Sequence, residues 1–365
     1  MLKSLAELVC MAALTSAPSI YAGTAPSVLA IAPPDTNKTG TSGRLLSFTQ
    51  GGRKEIAEFS GQTYYGNDEN VAAFLELNGI RKPGLHLLVV DRQSSAVLAD
   101  KSFPGPDGFF PSLTKSTIAD RLAVRSEDSS VYFDTLNSNG FGIGEINWKT
   151  EKVRQLPFTP PVARMSELFL FSYPPALVVT GFTGTTSILY NVHAGMEVLR
   201  RPAMQDGRTW EWPRHYFIPA IGLMEYDHGI HLQLTDSNLS TWVPNPQRFP
   251  GAIPIGRIQT SVMDGKPSLI WGENPEPVAH PREQNYITEI VIFDPVLKKE
   301  VLRKPLGPGI SKVFQANPAG TRIYFYKPET GEIFYLDRQS QSVVPLAQTG
   351  FHHLDGRGFE IMLGN

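Results

Sequence analysis

The chain has 365 residues, 41% of them hydrophobic, with 33 basic against 35 acidic side chains and a formal net charge of −2. So even a balance argues against a field that would draw the chain onto nucleic acid or an anionic membrane. The length suits one large all-β domain, and 32 glycines with 30 prolines fit many short strands joined by tight turns.

Residues 1–22 read as an export signal, with Lys3 as the basic start, an apolar run over 8–14 and Ile20-Tyr21-Ala22 as the cleavage site; a short N-terminal helix is the alternative. The expected location is therefore secreted or periplasmic. The single cysteine, Cys10, falls inside that signal, so the mature chain is expected to carry neither a disulfide nor a thiol catalyst. No later stretch approaches the ~20 apolar residues of a membrane-spanning helix. Residues 23–43 read as a lead-in holding one early strand over 28–32, and 44–365 as the main domain. Asn37-Lys38-Thr39 and Asn238-Leu239-Ser240 fit the N-glycosylation pattern.

Along the main domain an apolar strand repeatedly runs into a polar turn and is answered by a second strand. The turns fall at Gln50-Gly51-Gly52, Asp91-Arg92-Gln93-Ser94, Asn147-Trp148-Lys149, His193-Ala194-Gly195, Asp236-Ser237-Asn238, Asp294-Pro295 and Asp337-Arg338-Gln339-Ser340. A recurrence of roughly 45 to 55 residues predicts an all-β fold, a single β-propeller of seven four-stranded blades. Inner strand pairs are expected at 118–124 with 131–134, 166–172 with 176–180, and 312–316 with 322–326. Residues 71–77 read as one or two helical turns, and 71–75 equally well as an innermost strand. Inner strands should be apolar on both faces and outer strands broken by charge, as 87–90 and 177–179 contrast with 198–201 and 300–303. The tail 358–363 is expected to complete the blade begun near 44–59, so that both chain ends share one sheet.

Local catalytic motifs are missing. There is no paired-cysteine metal site, His-Glu-x-x-His, phosphate-binding glycine loop, haem-attachment pair or Gly-x-Ser-x-Gly elbow. A site would then be assembled from single residues of several blades. The densest cluster is Trp210-Glu211-Trp212-Pro213-Arg214-His215-Tyr216-Phe217. Trp210, Trp212 and His215 there form either a rim that stacks and hydrogen-bonds a small aromatic or amine ligand, or a packing loop between blades. The proline-stiffened loop 273–283 offers His280 as a proton carrier with Arg282 beside it, or else His280 as a turn cap. His352 and His353 are neighbours that point to opposite faces in an extended strand, and with His228 and His231 they lack a third-ligand spacing; no metal is expected. Asp91, Asp294 and Asp337 read as turn formers.

The stretch from Leu269-Ile270-Trp271 through His280 to Ile290-Val291-Ile292-Phe293-Asp294, then Lys299-Glu300-Val301, resembles the heavy subunit of methylamine and aromatic amine dehydrogenases. Ile323-Tyr324-Phe325 and Ile333-Phe334-Tyr335-Leu336-Asp337 resemble the final blade of the same propellers. The likeness covers about the last quarter of the chain by motif. It implies an exported subunit that binds no cofactor itself, cradles a small light-chain partner bearing a tryptophan-derived quinone, and supplies part of the substrate channel. Beside this scaffold reading stand two others: a secreted propeller binding a small apolar or aromatic metabolite, and a propeller transforming one by acid–base chemistry without a redox partner.

Overall fold

The computed structural model describes the backbone of residues 25–32, 43–156 (apart from 61, 78–83, 104–117, 121, 138 and 139), the strands between 165 and 245, 255–274 and 286–350 (apart from 265, 295, 298 and 312), and 361–364. Side chains are described within 25–32, 43–60, 63–77, 84–103, 122–156, 259–274 and 286–350, with short gaps, and at Gly364.

Twenty-nine strands and no helix occur among the described residues. The first sheet contains Ser27–Ala32 (β1), Gly43–Thr49 (β2) and Gly52–Phe59 (β3). The second contains Gln62–Asn67 (β4), Val71–Leu77 (β5), Leu85–Asp91 (β6), Val97–Phe103 (β7) and Ile118–Asp120 (β8); the third, Ala123–Arg125 (β9), Ser130–Asn137 (β10), Gly140–Asn147 (β11) and Lys152–Gln155 (β12). The fourth is formed by Met165–Phe171 (β13), Ala176–Gly181 (β14), Thr186–Asn191 (β15) and Met196–Pro202 (β16), and the fifth by Arg214–Ile218 (β17), Gly222–Asp227 (β18), His231–Thr235 (β19) and Trp242–Asn245 (β20). Ile255–Met263 (β21), Lys266–Glu273 (β22), Tyr286–Asp294 (β23) and Lys299–Ser311 (β24) make the sixth sheet. Phe314–Ala316 (β25), Arg322–Lys327 (β26), Glu332–Asp337 (β27) and Ser342–Gln348 (β28) make the seventh, and Ile361–Gly364 (β29) returns to the first.

Successive four-stranded antiparallel meanders, with both chain ends meeting in one sheet, are β-propeller architecture. Each of the seven turns read from the sequence falls between two consecutive strands that are neighbours in one sheet. The strands fall into two compact units. One holds the first sheet as far as Ala57 together with the fifth, sixth and seventh; the other holds the second, third and fourth.

Within the second unit, Val71, Ala73, Leu75, Leu87 and Val89 pack with Val131, Phe133, Ile146 and Trp148. In the first unit Val28, Ala30, Leu46 and Phe48 pack with Tyr324, Tyr326 and Ile333, while Ile270, Ile290 and Ile292 pack with Phe314, Phe325 and Leu336. Full burial of each of the valine, leucine, isoleucine and phenylalanine side chains among them contributes about 1.5–3 kcal/mol relative to exposure. All seven residues of β5 and the first six of β6 are buried, whereas the outer strands β7, β12, β24 and β28 are largely open to solvent.

Three expectations need correction. Residues 71–77 are a strand rather than helical turns, but not an innermost one: β5 is flanked by β4 and β6 and buried on both faces, as an interior strand must be. Residues 118–124 are not one strand. Ile118–Asp120 runs parallel to β4, opposite Thr63–Tyr65 in the register, and Ala123–Arg125 starts the third sheet. Leu122 lies between them, its N donating to Tyr65 O at 3.0 Å. The second sheet is consequently five-stranded.

Three of the outer turns share one design. Asp91 Oδ1 accepts from Ser94 N and Oγ at 2.7 and 2.6 Å, Asn147 Oδ1 from Thr150 N and Oγ1 at 2.8 and 2.9 Å, and Asp337 Oδ1 from Ser340 N and Oγ at 2.8 and 2.9 Å. These self-bonded side chains make the reversal. Each is followed by a residue in the left-handed region: Ser95, Glu151 and Gln341. The second turn residue ties back to the preceding hairpin. Arg92 N donates to Asn70 O, Trp148 N to Ser129 O and Arg338 N to Thr321 O, each at 2.9 Å. The guanidinium then caps a second carbonyl, Asp68 O at 2.5 Å from Arg92 and Gly320 O at 2.7 Å from Arg338. Arg338 also donates to Ser261 Oγ and Ser268 Oγ at 3.2 Å, which joins the seventh sheet to the sixth. Burial lowers its pKa, against the opposing charge of Asp264.

At the chain's end β29 pairs with β1 from Ile31↔Ile361 to Val28↔Gly364, as the tail's alternating pattern leads one to expect. Gly364 lies so close to the Tyr324 ring that a Cβ there would overlap it.

Candidate functional site

Charged side chains are rare inside the buried strands, so those that occur stand out. Glu76 is the one ionisable residue of β5, His86 lies in the buried part of β6, at the end where β5 leaves toward β6, and the two are register partners. Asp100 on β7 lies opposite Leu88, two residues along from His86 and hence on the same face. The three form a ladder across three strands. His86 Nε2 lies 2.5 Å from Asp100 Oδ1, and His86 Nδ1 lies 3.5 Å from Glu76 Oε2. Glu76 Oε1 accepts from Ser60 N at 2.6 Å and from Ser60 Oγ at 3.0 Å. Glu76 and His86 are 2% and 4% exposed, while the Asp100 side chain is 53% exposed. A buried imidazole thus has a carboxylate oxygen facing each ring nitrogen, and one of those carboxylates reaches solvent.

The sixth sheet carries a ladder at the same three positions. Glu273 on β22 and Glu289 on β23 are register partners, and Arg303 on β24 lies opposite Val291, two residues along from Glu289. Arg303 Nη1 donates to Glu273 Oε2 at 2.7 Å and also pairs with Glu289 Oε1; its Nη2 donates to Glu300 Oε2 at 2.8 Å. Trp271 Nε1 donates to Glu273 Oε1 at 2.6 Å. The hydrogen bonds to Glu300, then those to Glu273 with the charge of Glu289, outweigh burial and raise the guanidinium's pKa.

The third sheet has a shorter version. Glu145 on β11 faces Tyr132 on β10 and Arg154 on β12, accepts from Ser130 Oγ at 2.9 Å, and pairs with Arg154 Nε through Oε2. Desolvation first, and the Glu145 carboxylate second, push the Tyr132 hydroxyl up to about 12.

Of the side chains singled out from the sequence, Trp210, Trp212, His280 and Arg282 lie outside the described residues. His215 is on β17 with Glu225 of β18 as its register partner. Glu273, where the sequence loop containing His280 begins, is the buried acid of the sixth-sheet ladder. Glu76, His86, Asp100, Glu289 and Arg303 were not singled out as site residues. Their signal is a lone ionisable residue inside an apolar strand, which must find a partner once buried.

No protein-family model matches the sequence, and no curated protein matches it. Among solved structures it is similar to a structural-genomics protein from Lactobacillus plantarum, with 12% identity, 94% of this chain and 100% of that chain covered, and a TM-score of 0.54. It is also similar to a candidate 6-phosphogluconolactonase from Bacteroides uniformis, again at 12% identity and with 94% and 100% coverage, at a TM-score of 0.55. At that identity the likeness is one of fold, and the chain is a β-propeller protein.

Proposed function

We propose that this chain is an exported propeller that binds and transforms a small molecule by acid–base chemistry, without a redox partner. The observation that carries the reading is the Glu76–His86–Asp100 ladder: a solvent-reaching carboxylate 2.5 Å from a buried imidazole that a second, buried carboxylate faces. Asp100 is the group that meets the ligand and exchanges a proton with it. His86 is the group behind it that relays the proton.

The test is a set of small lactones and 4-nitrophenyl esters followed by proton release, with the intact protein, Asp100→Asn and His86→Gln. The expected result is turnover by the intact protein that falls by about 10²-fold or more in either variant, the usual scale for loss of a general acid or base. Equal rates in Asp100→Asn and the intact protein would overturn the assignment.

A second reading keeps the amine-dehydrogenase-like scaffold, with the quinone carried by a light-chain partner. What favours it is the apolar tip of the β23–β24 hairpin, where Val296 and Leu297 are each 61% exposed and Val301 is also open to solvent. Light scattering of the protein purified from its native host separates the two: a heteromer supports the scaffold, and a monomer with turnover supports acid–base chemistry.

A further inference from the structure

We propose that the third sheet holds a binding site for a small uncharged carbonyl compound, built on Thr135, Gly142 and Gln155 and separate from the Asp100 ladder. Counted from the outer-turn pairs Val71↔Asp91 and Ser130↔Asn147, these three occupy the positions that Glu76, His86 and Asp100 hold in the second sheet. Gly142 and Gly144 lie two apart on β11 and leave that stretch of one strand face without side chains. The flanking strands reach across it. A Cβ at Gly142 would overlap Gln155 Nε2 and stand 2.9 Å from Thr135 Oγ1, and a Cβ at Gly144 would run into the Phe133 ring. A hydroxyl from β10 and a carboxamide from β12 therefore converge over Gly142 from opposite sides.

Thr135 is 4% exposed, and its Oγ1 has no hydrogen-bond partner among the described residues. A buried hydroxyl left in that state costs free energy that a valine of the same shape would not. The rest of this face is apolar: Val131 and Phe133 on β10, Ile146 on β11 and Val153 on β12, with no ionised side chain among the described residues of the three strands. A charged ligand would find no counter-charge there. The hydroxyl and the amide can each present a hydrogen, and two converging donors select an acceptor with two lone pairs, a carbonyl oxygen. Phe133 and the apolar cluster it belongs to receive the body of the molecule, and the exposed Gln155 stands at the entrance. The Asp100 ladder faces the other way. Leu75 and Leu77 flank Glu76, Leu85 and Leu87 flank His86, and these four leucines pack in one cluster with Phe133, so Glu76 and His86 lie on the opposite face of the second sheet.

The test uses cyclohexanone as the probe and the full chain. In protein labelled at the threonine methyls, with the Thr135 signal assigned by its loss in Thr135→Val, a saturable shift of that signal is expected. Cyclohexylamine, similar in shape and charged at pH 7, should leave it in place. Saturation-transfer NMR on the probe then gives a binding midpoint for each variant. Thr135→Val is expected to raise the midpoint about tenfold or more, while its urea midpoint of unfolding stays the same or rises, which a purely structural threonine would not show. Gln155→Ala, at an exposed position, should weaken binding about fivefold and carries the test should the valine variant not fold. A Thr135 methyl that never moves, equal binding of cyclohexylamine, or variants that hold cyclohexanone as tightly as the intact protein would each overturn the site. Asp100→Asn should bind cyclohexanone unchanged; a binding loss there would place the probe at the ladder instead.

Discussion

The ladders of the second and sixth sheets occupy the same three strand positions and differ in how their charges close. In the sixth sheet the outer-strand residue is Arg303, which donates to both inner acids and to Glu300. In the second sheet the outer-strand residue is Asp100, so two carboxylates face one imidazole and the outermost reaches solvent. The first arrangement is what a buried cross-strand ladder needs for stability alone, because every ionised group has an opposite charge in contact. The second holds an acid where a base would stabilise more. A departure from the stabilising pattern at one of two equivalent places is what a functional site looks like when set against its structural counterpart.

Loss of Arg303 is expected to destabilise the chain most. Arg303→Met leaves Glu273 and Glu289 as neighbouring acids in a buried strand pair, and removing one partner of a buried ion pair costs about 3–5 kcal/mol. The Arg303 side chain is 37% exposed and solvent screens part of the effect, so the expected loss is about 2–3 kcal/mol, read as a lower urea midpoint with an unchanged slope. A variant as stable as the intact protein would mean that the sixth-sheet ladder is not a structural clamp.

The sequence made the hairpins legible because their determinants are local. A side chain that bonds its own turn, a left-handed residue after it and an apolar strand on either side are all contiguous, as at Asp91 to Ser95 and Asp337 to Gln341. The tail strand was legible too, from the alternation of the residues before Gly364, which pair with β1. The split of 118–124 was not: β8 is fixed by a parallel pairing with Thr63–Tyr65, a partner some fifty residues away that no local pattern announces. The ladders were hidden for a related reason. Each contributes one charged residue per strand, and their convergence depends on register, so aromatic-rich and histidine-bearing loops drew attention instead.

A single substitution makes the second ladder copy the sixth. Asp100→Arg places a guanidinium at the Arg303 position, within reach of the buried Glu76 carboxylate. Stability is expected to stay within about 0.5 kcal/mol of the intact protein or to rise slightly, as for most substitutions at exposed positions, while turnover in the lactone and ester assay disappears. Stability and activity would then part company at one residue. A loss of both together would instead make Asp100 a structural member of its sheet.

The smallest effect at neutral pH is expected in the third sheet, where Tyr132 faces Glu145. Burial and that carboxylate push the folded-state hydroxyl up to about 12 from its ordinary 10. Between those two values the unfolded chain loses the proton while the folded chain keeps it, so the unfolded state gains an ionisation that the native state lacks. The contribution is therefore fully present below pH 10 and is lost as pH rises toward 12. Tyr132→Phe removes a hydroxyl that ionises only in that range, and it should change the urea midpoint little at pH 7 while flattening the decline above pH 10. A decline of equal steepness in both proteins would place the alkaline sensitivity elsewhere. The contrast among the three sheets would then rest on the ladders of the second and sixth alone.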